Sequence, residues 1–210
     1  MPSNRRNRER VPGRRTADVR PRRRLLVVCE GVRSEPDYLR GYERMVCNAN
    51  VTIEIPRERG EPRKIVEIAK ARRQAADIEA QRQGDEWLSF DEVWCVFDRD
   101  DHERFQDACQ MALANGFMLA VSNPCFELWL LLHFRDSPGA RHRKELSRLL
   151  RDEYLPGYEK CLDFDDLADG VGTAVDRARR LDQRAEEMGE AGRNPTTGVY
   201  RLVESIGRRG

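Results

Sequence analysis

Acidic side chains follow an apolar run near the middle of the chain. Residues 93–97 read VWCVF, and Asp98, Arg99 and Asp100 come directly after them. In extended backbone, side chains two residues apart point to the same side, so Asp98 and Asp100 would lie together. Adjacent carboxylates repel each other unless a cation lies between them, and a hard divalent ion with oxygen ligands is the usual solution. The alternative is the acidic first turn of a helix, in which Asp100 or Asp101 caps the helix.

A second apolar run ends in the same way. Residues 25–29 read LLVVC, and they are followed by Glu30, Gly31 and, five residues after Glu30, by Glu35. Continuous apolar runs of this length are typical of strands buried on both faces of a parallel sheet. Ligands of such sheets bind outside the carboxyl ends of the strands. We therefore expect Glu30, Asp98 and Asp100 to converge on one metal site.

A third group of candidate residues surrounds a further apolar segment. The run 117–121 predicts a strand ended by Ser122 and Asn123, and residues 124–134 predict a buried helix with Pro124 in its first turn. Glu127 is the one acid in that helix. A lone buried acid must be paired, protonated or bound to a metal, so Glu127 is a candidate for a second metal ligand.

These runs alternate with helical patterns and so predict the fold class. Amphipathic patterns cover residues 34–47, 63–83 and 102–115, with Ser34 as an N-cap, and residues 51–55 predict a short strand. Alternation of this kind predicts an α/β fold, a mostly parallel four-stranded sheet sandwiched by helices. The later residues predict helices, the last over 199–206, preceded by a loop in which Thr196 or Thr197 is the cap. The expected organisation is a basic disordered tail (1–23), an α/β core (24–134) and a C-terminal helical extension (135–210).

The composition limits the partners and the location. The 210 residues carry a net charge of +1, but the first 24 hold ten arginines against two acids, so the rest of the chain is acidic. The tail either binds nucleic acid or only keeps the protein in solution, and the acidic body predicts weak intrinsic affinity for nucleic acid. The six cysteines form no CxxC pair, which favours reduced thiols. No apolar run is long enough to span a membrane, so we expect no membrane partner and a cytoplasmic location.

Four segments together resemble the RloB-like protein family found in bacterial restriction and defence loci. They read VCEGVRSEPDYL, VWCVFDRDD, VSNPCFELWLLLHF and NPTTGVYRLVE, and the resemblance spans residues 24–206. The core of that family resembles a Toprim domain, which has a glutamate followed by glycine after its first strand and a D-x-D after its third. Glu30, Asp98 and Asp100 match these catalytic, metal-binding positions. Glu35 matches an acid that nuclease versions of Toprim often add in the next helix.

The resemblance implies a nuclease that uses Mg²⁺ or Mn²⁺ to hydrolyse phosphodiester bonds of DNA or RNA in anti-phage defence. It also implies an AAA- or ABC-type ATPase partner encoded nearby. A homo-oligomer is compatible with the sequence. Our own inferences add Glu127 as a metal ligand and Ser122 and Asn123 as substrate-binding residues. Arg33 and Arg99 flank the acids, where they either contact the scissile phosphate or form salt bridges beside it.

Three other functions compete with a nuclease. A regulatory or scaffold subunit with a degenerate site is the main alternative. A topoisomerase or primase would need a companion domain for which 210 residues leave no room. A phospho-acceptor receiver would need a lysine at the end of a later strand, and the four lysines do not supply one. The stretch between Glu30 and Asp98 is longer than in minimal Toprim domains, so its helix either forms a substrate wall or adds to the core.

Overall fold

The computed structural model describes residues 22–99, 104–159 and 162–209, which form an α/β fold with helices on both faces of a sheet. The strands of the sheet are β1 Arg23–Cys29, β2 Val51–Glu54, β3 Glu92–Asp98, β4 Met118–Asn123 and β5 Thr196–Thr197. Their order is β2-β1-β3-β4-β5. The first four strands are parallel, and β5 runs antiparallel to β4. The predicted α/β class and mostly parallel sheet are confirmed.

Seven α-helices surround the sheet in the described residues. They are α1 Ser34–Val46, α2 Pro62–Gln83, α3 Phe105–Ala114, α4 Glu127–Phe134, α5 Arg143–Leu149, α6 Val171–Glu187 and α7 Val199–Gly207. A turn of π-helix, Leu150–Tyr154, continues α5, and short 3-10 turns precede α6. None of these helices is both long enough and apolar enough to cross a membrane.

The two central strands are buried on both faces, as their apolar runs predict. In β1, Leu25 and Val27 contact the layer that contains α1, α4, α6 and α7, whereas Leu26 and Val28 contact the layer of α2 and α3. Alternation of side chains along a strand produces this division. The carboxyl ends of β1 and β3 meet at one edge, where Cys29 is paired with Val96. Residues that follow these strands are therefore brought together.

Helix α4 lies in the centre of its layer, and its first seven residues are all buried. Its apolar side chains pack on one another and on α1 through Tyr38, which makes edge-to-face contacts with Phe126 and Trp129. The prediction of a buried central helix is confirmed, but its start was wrong. The helix begins at Glu127, three residues after Pro124, because residues 124–126 form the turn that connects β4 to the helix.

Two local predictions differ from the structure. Ser34 is the first residue of α1 rather than its N-cap, and its hydroxyl bonds to Tyr158 from the C-terminal extension. Thr196 and Thr197 form the fifth strand, so the predicted count of four was one too few. Two residues are too short a run to show the alternating pattern of a strand, and this one exists because β4 offers an edge.

The C-terminal helices complete the core. Leu202, Val203 and Ile206 of α7 are buried in the same cluster as Leu25. At the amino-terminal end of the sheet, the Glu92 carboxylate accepts hydrogen bonds from Arg23, Trp94 and Ser205, which joins β1, β3 and α7. The predicted tail, residues 1–23, lies almost wholly outside the described residues.

Candidate active site

Four predicted acids surround one cavity at the carboxyl end of the sheet. The cavity has a volume of about 330 Å³. Its charged lining residues are Glu30, Arg33, Glu35, Asp98, Glu127 and Arg143. The acids come from three separate places in the chain: the segment from the end of β1 into the first turn of α1, the end of β3 and the start of α4. The parallel sheet brings the first two together, and the turn after β4 adds the third.

Backbone amides orient two of the acids. Glu30 Oε2 accepts a hydrogen bond from the backbone N–H of Asp98 (3.1 Å), so the Glu30 side chain bridges β1 and β3 at their ends. Glu35 Oε1 accepts a hydrogen bond from the N–H of Gly31 (3.1 Å). A Cβ atom at position 31 would overlap the Glu35 carboxyl group. The glycine after β1 is therefore required for the close approach of Glu35 to the backbone.

Asp98 is buried, and its surroundings disfavour its charge. Burial is the main cause that raises the pKa of Asp98 well above its ordinary value, and the carboxylates of Glu35, Glu127 and Glu30 raise it further. Arg143 acts in the opposite direction, because its Nη2 donates a hydrogen bond to Asp98 Oδ2 (2.9 Å). A cation near Asp98 would stabilise the ionised form of this carboxyl group.

Glu127 is almost completely buried beside the phenol of Tyr158. The Tyr158 hydroxyl lies 3.5 Å from Glu127 Oε1 and 2.9 Å from the hydroxyl of Ser34. Burial raises the pKa of Tyr158, and the Glu127 carboxylate raises it further, so the phenol stays protonated and can donate. The acid in the apolar helix is therefore paired with a donor from the C-terminal extension and lies at the same cavity as Asp98.

The remaining predicted site residues lie elsewhere or outside the described residues. Ser122 is the register partner of Asp98, but its hydroxyl bonds to that of Thr197 (2.9 Å). Asn123 donates to the carbonyl of Gly192 (2.8 Å). Neither Ser122 nor Asn123 is among the residues that line the cavity. Asp100 lies in the stretch 100–103, which the structure does not describe.

The two predicted phosphate-binding arginines occupy different positions. Arg33 is exposed and lines the acid cavity. Arg99 points to a neighbouring cavity, where its Nη1 donates to the carbonyl of Gly192 (2.8 Å) and its guanidinium lies over the Phe105 ring. The structure therefore places Arg33, but not Arg99, beside the acids.

The donor atoms of the cavity suit a hard divalent cation. Carboxylate oxygens are the ligands that Mg²⁺ and Mn²⁺ prefer, and Asp98, a buried acid with a raised pKa, would gain from a bound cation. Within residues 22–99, 104–159 and 162–209, no three His, Cys, Asp or Glu side chains are grouped closely enough to hold an ion. Magnesium commonly binds one or two carboxylates and completes its shell with water and substrate phosphate. The described acids fit that open type of site rather than a closed metal cage.

Two residues of the site have no sequence signal. Arg143 and Tyr158 belong to the polar C-terminal extension, 45 and 31 positions from the acids that they contact. Nothing in their local spacing marks them, because their contacts depend on how α5 and the segment after it pack on the core.

His133, one turn from Trp129, is a structural residue: it bonds to Tyr38 and to the Trp129 carbonyl (3.0 Å each).

Comparison with known proteins gives one match. The family model described as RloB-like protein matches residues 25–206, which is most of the chain and includes every described acid of the cavity. Searches of curated proteins and of solved structures found no match.

Proposed function

This chain belongs to the RloB-like protein family, and from that premise we propose that it is a nuclease that hydrolyses phosphodiester bonds with Mg²⁺ or Mn²⁺. Its Toprim-like core would act on DNA or RNA in defence against phage, together with an AAA- or ABC-type ATPase. The observation that carries the proposal is the position of Glu30, Glu35, Asp98 and Glu127 around a single cavity. A buried excess of carboxylates costs stability, so its presence at the ligand-binding edge of an α/β sheet favours a cation-dependent function.

The acids would form two groups, one for each of two metal ions. Asp98 and Asp100 would hold one ion, and Glu35 and Glu127 a second. Glu30, whose carboxylate is fixed by the Asp98 backbone amide, either joins the first group or accepts the proton of the attacking water. A bound divalent ion would supply positive charge at the phosphate and lower the pKa of a bound water.

Hydrolysis forms a bond from the water oxygen to phosphorus and breaks the bond from phosphorus to one ester oxygen. The carboxylate base takes the proton of the water, and the leaving oxygen receives a proton from solvent. Negative charge on the phosphate oxygens has to be balanced during this step, and Arg33, which lines the cavity, would supply positive charge there. Arg99 would have to leave the Gly192 carbonyl to take part.

The decisive experiment is cleavage of plasmid DNA, single-stranded DNA, total RNA and tRNA in Mn²⁺, Mg²⁺ or EDTA. Wild type and Asp98→Asn are compared, each alone and with the neighbouring ATPase. We expect metal-dependent cleavage by wild type and a loss of at least about 100-fold in the variant, since a metal ligand is removed. Equal cleavage by the two proteins would exclude Asp98 from the chemistry.

A regulatory subunit of an ATPase complex is the second candidate. The observation that favours it is the lack of any three grouped metal-binding side chains in the parts of the chain that the structure describes. Under this alternative, wild type cleaves nothing even beside an active ATPase, and Asp98→Asn leaves phage defence intact. Measurement of phage plaque formation on cells that carry each version therefore distinguishes the two functions.

A further inference from the structure

The C-terminal extension places a cation inside the acid cavity. Arg143, the first residue of α5, reaches Asp98 with a hydrogen bond of 2.9 Å. Its side chain is 38% exposed, so one side of the guanidinium contacts a buried carboxylate while the residue remains accessible from solvent. The cavity is therefore built from the extension as well as from the α/β core.

The position of Arg143 is fixed by the start of its helix. The His142 side chain accepts a hydrogen bond from the backbone N–H of Lys144 (3.2 Å), and the Glu145 carboxylate accepts one from the N–H of His142 (3.1 Å). This capping box holds the first turn in place. Three residues further on, Leu146 is buried in the main hydrophobic cluster and anchors the helix to the core. Arg143 is thus directed at the acids by the fold and not by a flexible loop.

We propose that Arg143 binds the scissile phosphate of the nucleic-acid substrate, and that its contact with Asp98 is the state of the site before metal and substrate enter. This inference rests on the proposed nuclease function. With a divalent ion held by Asp98, the positive charge that Arg143 supplies there would no longer be needed, and the guanidinium would be available to bind the phosphate. A guanidinium presents five N–H donors in a planar fork that matches the oxygens of a phosphate.

Charge in the cavity supports this assignment. The described lining contains four acids, against which Arg33 and Arg143 are the only cationic side chains. A phosphodiester that enters such a cavity is repelled unless cations meet it, because like charges in a partly buried site are weakly screened. Arg143 contacts Asp98, the proposed metal ligand. The phosphate must bind close to this residue for hydrolysis, so Arg143 lies near the phosphate position.

A purely structural Arg143 would give different results. If it only neutralises Asp98, its removal changes stability and metal affinity but not the rate at saturating Mn²⁺. If it binds the phosphate, its removal lowers the rate and weakens binding of nucleic acid while Mn²⁺ binds at least as tightly, because a competing cation has left Asp98. The two roles are therefore separated by measuring metal binding and substrate binding independently.

The test compares Arg143→Gln, Arg143→Lys and the control Arg148→Gln. Arg148 is exposed on the same helix and does not line the acid cavity. Mn²⁺ binding is measured by the shift in melting temperature without nucleic acid, and cleavage is measured at saturating Mn²⁺. We expect Arg143→Gln to lower kcat/KM by about 10- to 100-fold, as expected for loss of a charge-assisted hydrogen bond. Arg143→Lys should recover part of this loss, because lysine keeps the charge but not the fork.

Binding of short, uncleavable phosphorothioate DNA and RNA in Mn²⁺ keeps the test independent of turnover. Weaker binding by Arg143→Gln than by Arg148→Gln supports the phosphate contact even if wild type cleaves nothing, an outcome that would overturn the nuclease function alone. Equal binding by the two variants, or cleavage by Arg143→Gln at the wild-type rate, overturns the role of Arg143. So does a loss of Mn²⁺ binding in Arg143→Gln large enough to account for the lost activity.

Discussion

Replacement of Asp98 by asparagine should stabilise the metal-free protein. Asparagine has the shape of aspartate, but it cannot carry the charge that burial and three neighbouring carboxylates disfavour. Those causes raise the pKa of Asp98 well above its ordinary value. Each unit by which folding raises the pKa of an acid corresponds to about 1.4 kcal/mol of lost stability at a pH where the acid is ionised.

The lost contact with Arg143 opposes this gain. The Arg143 side chain is 38% exposed, so its ion pair with Asp98 is screened and contributes about 1 kcal/mol or less. The amide oxygen of the introduced asparagine can also still accept a hydrogen bond from the guanidinium. Relief of the buried charge is therefore the larger effect. For a chain of this length, about 1 kcal/mol corresponds to roughly 2–4 °C in melting temperature, and we expect a rise of at least that size in EDTA at neutral pH.

The pH dependence has a definite sign. Because the folded-state pKa of Asp98 is raised, the contribution of this group to the stability of wild type falls as the pH rises from the ordinary aspartate value through the folded-state pKa. Near pH ~4, where the folded side chain is neutral and the unfolded one begins to ionise, wild type and Asp98→Asn should melt close together. The difference between their melting temperatures should increase with pH and then stay constant above the folded-state pKa of Asp98.

Calorimetry of wild type, Asp98→Asn and the exposed-site control Asp152→Asn from acid to neutral pH measures this difference. Addition of Mn²⁺ should then stabilise wild type by about 2.7 kcal/mol at a concentration about 100 times its Kd, and the variant by less. A melting temperature of Asp98→Asn below that of wild type in EDTA at neutral pH would contradict this prediction. That result would mean that the pair with Arg143 outweighs repulsion among the acids.

Three further predictions concern Gly31 and Tyr158, which lie beside the site, and the buried histidine of α4. Gly31→Ala should displace the Glu35 carboxylate and remove its hydrogen bond to the backbone, which we expect to reduce the Mn²⁺-induced melting shift and to lower cleavage by about 10-fold or more. Tyr158→Phe removes the hydroxyl that contacts Glu127 and should cost about 1 kcal/mol in urea unfolding, with slower cleavage at saturating Mn²⁺. His133 has a pKa lowered to about 4 by burial, so the contribution of this group to native-state stability should fall by roughly 3 kcal/mol as the pH falls from about 6.5 to about 4. It acts against the contribution of Asp98 over the same range, and His133→Gln should lack it.

Each of these has an outcome that contradicts it. An unchanged Mn²⁺ shift in Gly31→Ala would show that Glu35 does not help to hold an ion. Wild-type cleavage by Tyr158→Phe would mean that the phenol does not position Glu127. A stability profile of His133→Gln as steep as that of wild type between pH 6.5 and about 4 would assign the acid sensitivity to other groups.

Local sequence was sufficient to predict the central strands and the proximity of Glu30 and Asp98. The runs 25–29 and 93–97 are apolar at every position, and a strand covered on both faces accommodates such a run at this length. Their carboxyl ends must then meet at one edge, which predicts that Glu30 and Asp98 lie near each other. The buried helix α4 follows from the same reasoning, since it is apolar nearly all round.

Contacts from the extension could not be predicted. Arg143 lies in a segment rich in both acids and bases, where an arginine that contacts Asp98 resembles any exposed arginine. Tyr158 follows a glycine turn and shows no periodicity that would mark it as buried. Strand β5 is equally hidden, because two threonines pair with β4 only after α6 and the loop behind it have brought them to the sheet edge. The direction of the Arg99 side chain could not be predicted either, since it depends on a hydrogen bond to the Gly192 carbonyl.

The sequence by itself determined the fold class, the family, and the edge of the sheet where the acids gather, because hydrophobic periodicity, the alternation of strands with helices and the four motif segments are all visible along the chain. Only the tertiary structure decided which cations face those acids. A contact between Arg143 and Asp98 spans 45 positions, and its energy depends on burial and distance, neither of which is written in residue spacing.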